Sequence, residues 1–257
     1  MSAGAGLPWR TFGDGPRRIL FAHSLTGNGL RAEPFMAPLI EQGWQVLAMD
    51  QRGHGQATRE TDPARFAVRA MGADLLDVLD EAGWDTAWFA GGSMGAATAL
   101  AAAVQAPERV EGLALLAPAV GRAANAGAPM FRRIADGFAA GGMDGGVAAW
   151  RREMAAAGAA DPQHLDGQEA ELRQLGAENL ACLLATMPCW TMAEELDAVS
   201  QFDVPVLVLA WAGDDIHPMA LAEEIAASAK HGRLLPVPTG DPFGLFTTLA
   251  GALPTPA

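Results

Sequence analysis

The chain has 257 residues, half of them hydrophobic, and a formal net charge of −13. That charge repels nucleic acid and anionic membrane surfaces, so neither is expected as a partner. Two cysteines, Cys182 and Cys189, make neither a disulfide framework nor a zinc site, and no apolar run has the length of a signal peptide or membrane span. A cytoplasmic protein without metal or other cofactor is expected.

In chain order, Arg18–Ala22 reads as a strand, Pro34–Gln42 as a helix closed by Gly43, and Trp44–Met49 as a second strand. Phe66–Ala82 carries apolar residues at helical spacing and is stopped by Gly83. Thr86–Ala90 is a strand, Met94–Gln105 an alanine-rich helix and Val110–Leu116 another strand. From about Val120 to Phe202 the rhythm changes to helices, the clearest being Met130–Ala139, Gly146–Ala157 and Gly167–Leu184. Alternation then returns with strand Pro205–Trp211, helix Ala220–Lys230, strand Arg233–Val237 and terminal helix Phe243–Ala252. Strands that are apolar almost throughout and alternate with helices predict a mostly parallel sheet covered on both faces. The expected organisation is a doubly wound core of residues 1–119 and 201–257, with residues 120–200 inserted as a helical cap.

The chemistry centres on Phe89-Ala90-Gly91-Gly92-Ser93-Met94-Gly95, a Gly-x-Ser-x-Gly between a strand and a helix. In that context the small residues allow strand and helix to pack across a sharp turn, and the turn lifts the serine hydroxyl above the sheet edge. The helix starting at Met94 directs free N–H groups at any negative charge developing there.

Three further segments, Ala22-His23-Ser24-Leu25-Thr26-Gly27-Asn28, Asp50-Gln51-Arg52-Gly53-His54-Gly55 and Trp211-Ala212-Gly213-Asp214-Asp215-Ile216-His217-Pro218, fall after successive strands. Together with the Gly-x-Ser-x-Gly they resemble the α/β-hydrolase superfamily over nearly the whole chain. The resemblance implies Ser93 as nucleophile, Asp214 as the acid, and the backbone N–H groups of Met94 and Leu25 as oxyanion donors. Ser24 stands where the family has glycine, and its hydroxyl is a candidate to reach the site. His23 and His54 match positions that brace loops in the family, with His23 retained as an outside candidate for the base.

The family's usual base, a Gly-His after the last strand, is missing: the segment reads Thr239-Gly240-Asp241-Pro242, and no histidine lies beyond His231. A carboxylate at its ordinary pKa is a far weaker base than imidazole. His217, three residues after Asp214, is the predicted replacement. Loops after neighbouring strands converge at one sheet edge, and a triad is defined by geometry and not by chain order. Asp214 or Asp241 is expected to orient it.

The expected activity is hydrolysis of an ester, lactone or related acyl bond in a small apolar molecule, with Trp150, Met187 and Trp190 as candidate pocket residues. One alternative is a non-hydrolytic lyase, cyclisation or rearrangement using the oxyanion donors and Asp241. The other is a ligand-binding pseudo-hydrolase.

Overall fold

A computed structural model describes residues 6–57, 60–157, 162–239 and 241–254. Among the described residues the apolar runs form seven strands: β1 (Trp9–Phe12), β2 (Arg17–Ala22), β3 (Trp44–Met49), β4 (Ala87–Gly92), β5 (Val110–Leu116), β6 (Val206–Ala210) and β7 (Gly232–Pro236). They make one sheet in the order β1-β3-β2-β4-β5-β6-β7. All neighbours are parallel except β1 and β3. The sheet is thus mostly parallel, and β4, the strand leading to Ser93, lies at its centre.

Side chains alternate across the sheet, and that alternation sorts the core into two layers. Phe89 faces a cluster with Leu75 and Leu79 of α2 (Val68–Glu81), Leu100 of α3 (Met94–Gln105) and Ile225 of α8 (Met219–Ser228). Its neighbour Trp88 faces the opposite cluster, with Met36 and Leu39 of α1 (Glu33–Ile40) and Leu249 of α9 (Pro242–Ala252). Both faces are therefore covered by helices, the arrangement in which a parallel sheet buries its uninterrupted apolar strands.

Between β5 and β6 the described residues are helical: α4 (Ala128–Ala156), α5 (Pro162–Leu172), α6 (Ala177–Thr186) and α7 (Ala193–Val199). A third cluster joins Ile134, Phe138 and Trp150 of α4 to Leu172 of α5 and to Leu180 and Leu184 of α6. The later part of the same stretch packs elsewhere. Met187, Trp190, Met192, Leu196 and Val199 belong to the sheet's own cluster. Polar ties also cross between the two bodies. Asn179 of α6 donates from Nδ2 to the Gly53 carbonyl at 3.3 Å and accepts from the Glu60 N–H.

Several boundaries differ from the sequence expectation, each for a local reason. The expected helix from Phe66 starts at Val68, because Pro63–Phe66 forms a 3-10 turn and Ala67 is extended. The two helices expected at 130–139 and 146–157 are continuous except at Gly142, whose φ of 60° and ψ of −151° interrupt the helical path. The single helix expected over 167–184 is two, since Gly176 is extended at the start of α6. β1 was not expected, and α7 falls in the stretch expected to be helical without having been singled out.

Candidate active site

Backbone geometry at the β4–α3 junction follows from side-chain size. A Cβ at Gly91 would stand 2.1 Å from the Gly95 carbonyl oxygen, and one at Gly95 would stand 2.1 Å from that of Ala22. Only glycine permits strand, turn and helix to approach this closely. Ser93 itself sits at φ 52° and ψ −111°, a conformation costly for a non-glycine residue and characteristic of sites where strain serves positioning. Its N–H donates to the Leu116 carbonyl of the neighbouring strand at 2.9 Å, which locks the turn to the sheet.

The imidazole facing this hydroxyl is that of His217: its Nε2 lies 2.8 Å from Ser93 Oγ. Its Nδ1 lies 2.7 Å from Asp214 Oδ2. A carboxylate can only accept, so Nδ1 carries the proton and Nε2 presents a lone pair to the serine O–H. The Asp214 carboxylate is held from several sides. Oδ1 accepts from the backbone N–H groups of Ile216 at 2.8 Å and His217 at 3.1 Å, and Oδ2 accepts from the Trp211 indole at 3.0 Å. Partial burial pushes this carboxyl up, but the hydrogen bond from the His217 ring, the ring's charge whenever it is protonated, and the Trp211 and His217 N–H groups outweigh burial and hold it well below the usual carboxylate range. The Trp211 ring also meets the His217 ring edge-on, with centroids 5.9 Å apart. Nothing in the sequence marked Trp211 as a partner of Asp214, since a separation of three positions does not fix where an indole points.

The loop after β2 is braced by two buried histidines. His23 Nε2 accepts from the Gln51 N–H at 2.9 Å, so its Nδ1 is the protonated nitrogen and donates to the Ser24 carbonyl at 2.7 Å. Gly27 N–H donates to the same oxygen at 2.8 Å. In a trans peptide N–H points opposite to C=O, so these contacts set the direction of the Leu25 N–H. His54 Nε2 then lies 2.8 Å from the Leu25 carbonyl and holds the next peptide plane. Burial, together with the nearby His54, drives the His23 pKa down to about 3, against the hydrogen bond to Ser24. With both ring nitrogens committed, His23 has no free lone pair for a proton. Ser24 contributes through its carbonyl. Met94 is the first residue of α3, where backbone N–H groups have no partner within the helix.

One expectation needs correction. Asp241, placed by sequence where the usual histidine falls, does not orient His217: it is the N-cap of α9, and its Oδ1 accepts from Gly244 N–H at 2.8 Å. Trp150, Met187 and Trp190, the expected pocket residues, are buried within the hydrophobic clusters. Trp150 lies in the α4–α6 cluster, the other two lie in the sheet cluster, and the Trp190 indole donates to the Phe66 carbonyl at 2.9 Å. The sequence cue, a large apolar side chain between β5 and β6, does not separate a pocket wall from a core. Among the described residues no cluster of three or more potential ligands could hold a metal ion, and no helix is long and apolar enough to cross a membrane.

A family model described as alpha/beta hydrolase fold matches residues 17–164, more than half of the chain. The chain belongs to the alpha/beta hydrolase fold family. Among curated members, a protein named as a carbamate hydrolase, RutD, from Caulobacter sp. (strain K31) is 27% identical over 235 residues, covering 86% of this chain and 82% of that one. Other curated relatives are matched over 30% to 37% of their own length. Among solved structures, a hydrolase from Pseudomonas aeruginosa PA01 superposes with a TM-score of 0.72 at 25% identity, covering 89% of this chain and 84% of that one. The enol-lactonase from Burkholderia xenovorans LB400 shares the alpha/beta hydrolase fold, with a TM-score of 0.71 at 23% identity over 90% of this chain and 87% of its own.

Proposed function

We propose that the protein is a serine-dependent hydrolase that cleaves an ester, lactone or related acyl bond of a small apolar molecule, with Ser93, His217 and Asp214 as its triad. The observation that carries this reading is the unbroken hydrogen-bonded line from Asp214 through His217 to Ser93 Oγ. In the first half-reaction Ser93 Oγ attacks the acyl carbon while His217 Nε2 takes its proton. The oxyanion accepts hydrogen bonds from the N–H groups of Met94 and Leu25. His217 then returns the proton to the leaving alcohol, and Ser93 is left acylated. In the second half-reaction water attacks the acyl-enzyme, giving its proton to His217, and Ser93 leaves with that proton as the carboxylic acid is released. Asp214 stays ionised throughout and stabilises the imidazolium.

The helices at 120–200 act as the cap that encloses a small substrate in this reading, as in other enclosed small-molecule sites. The enol-lactonase and carbamate hydrolase names of related proteins are consistent with acyl-type substrates. The lyase-type alternative needs Asp241 as a free acid or base, and the capping bond to Gly244 N–H disfavours that role.

The test is labelling by a fluorophosphonate probe followed by turnover of a p-nitrophenyl ester panel. Labelling at Ser93 that disappears in both Ser93→Ala and His217→Ala is the expected result. An unlabelled wild-type enzyme would sink the proposal.

A further inference from the structure

In the proposed triad the base is carried on the acid's own loop, and a side chain outside the triad holds that loop. Asn125 lies between β5 and α4, and its amide uses both N–H donors and one oxygen lone pair on its own connection and on the His217 loop. Nδ2 donates to the Ala119 carbonyl at 2.7 Å and to the Ile216 carbonyl at 2.8 Å, while Oδ1 accepts from the Gly127 N–H at 2.7 Å. Rotating the amide by half a turn would set its oxygen against two carbonyls, so the partners themselves fix its orientation.

The Ile216 carbonyl and the His217 N–H belong to one peptide plane. Asn125 holds the carbonyl edge of that plane, and Asp214 Oδ1 accepts from the N–H edge at 3.1 Å. With both edges fixed, the plane cannot rotate, and the Cα of His217 is aimed before the ring makes any contact. The same asparagine is tied to the first turn of α4 through Gly127. A Cβ at Gly127 would lie 3.5 Å from Ile216 Cγ1 and 3.2 Å from the Phe131 ring, so this turn and the His217 loop are packed together.

Resting on the Ser93–His217–Asp214 reading, we infer that Asn125 is a positioning residue for the base: its carboxamide clamps the Ile216–His217 peptide so that Nε2 reaches Ser93, and it makes the base move with the start of the cap. Displacement of a reacting group by about 1 Å can cost on the order of a hundredfold in rate, so a polar brace outside the triad has a measurable kinetic signature.

The discriminating variant is Asn125→Asp. It keeps an acceptor for the Gly127 N–H, and so the local turn, but replaces the donor to Ile216 and Ala119 by an oxygen that repels them. The expected result, read on the plateau of the pH–rate profile at a temperature where the variant is folded, is a fall in kcat of about tenfold with KM close to wild type. A fall below threefold overturns the inference, as does an equal rise in KM with kcat unchanged. Should Asn125→Asp fail to fold, Asn125→Ser takes its place, because its short hydroxyl retains the turn but cannot span to Ile216, and the same threshold applies. If the wild-type enzyme neither hydrolyses esters nor labels, it is the triad reading that fails. The clamp is then judged by the ring 15N resonances of His217. Movement of those resonances in Asn125→Asp towards the two-tautomer average of free histidine supports the clamp, and unchanged resonances overturn it.

Discussion

The loops after β6 and β7 emerge side by side from the same edge of the sheet, and each carries an aspartate early in its course, yet the two do different work. Asp214 gathers four donors, namely two backbone N–H groups, the Trp211 indole and the His217 imidazole. Asp241 accepts from the Gly244 N–H and starts a helix. What separates them is the local chain: Asp214-Asp215-Ile216-His217 folds back so that residues two and three positions on donate to the carboxylate and the ring of the third lies against it. Asp241 is followed by Pro242, which opens α9 and gives the carboxylate a capping task. In the proposed triad the base has moved from one strand end to the next, because the acid's loop turns tightly enough to present His217 to Ser93.

Breaking this contrast begins at its strongest point. Ser93→Ala and His217→Ala should each lower kcat/KM on a p-nitrophenyl ester by about 10³-fold or more. The double variant should be no worse than either alone, because members of a triad act as a unit. Additive losses, or a His217→Ala enzyme with near-normal turnover, would separate the imidazole from the serine. Asp214→Asn should follow with a loss on the order of 10²- to 10⁴-fold in kcat, reflecting the tautomer and charge that the carboxylate fixes. If Asp241→Ala matched that loss, the division of labour between the loops would be wrong.

The stability contribution of Asp214 has a defined pH signature. Its folded pKa is depressed below the ordinary value, so the unfolded chain binds more protons in the window beneath about pH 4. The stabilisation is present above that window and is lost as pH falls through it. Chemical denaturation of wild type and Asp214→Asn should therefore diverge at neutral pH and converge on acidification. A gap that widened towards low pH would contradict the sign of the shift.

Smaller effects sharpen the other side of the comparison. Asp241→Ala should cost about 1 kcal/mol of stability, the usual value of an N-cap, with kcat within about twofold of wild type. Trp190→Phe should cost a similar amount, about 1 kcal/mol from the hydrogen bond to the Phe66 carbonyl, and leave KM unchanged. A KM that rose severalfold would return Trp190 to a pocket wall.

Much of the scaffold was legible because its signals are local. Trp44–Met49, Met94–Gln105 and Val110–Leu116 have the expected bounds, since an apolar run ending at glycine, proline or a charge leaves little choice. β1 was not, because its four residues, Trp9 to Phe12, form an antiparallel edge whose pairing with β3 is its main support. The bounds of α7, inside the stretch expected to be helical, were not legible for a related reason: Leu196 and Val199 are held by the sheet's core, and seven residues carry too weak a period to read alone. For Trp150, Met187 and Trp190 the sequence foretold burial, because hydrophobicity predicts burial without saying against what.

The sequence by itself determined the parallel scaffold, the strained serine at the end of its central strand and the small set of histidines able to serve it, because periodicity, glycine spacing and composition are properties of the linear chain. Tertiary structure alone decided which imidazole meets Ser93, that Trp211 and Asn125 brace its loop, and that Asp241 caps a helix. Those outcomes depend on contacts between residues as much as 124 positions apart, as for His217 and Ser93, and on the directions of individual N–H and C=O bonds. Such directions exist only once the backbone has closed around them.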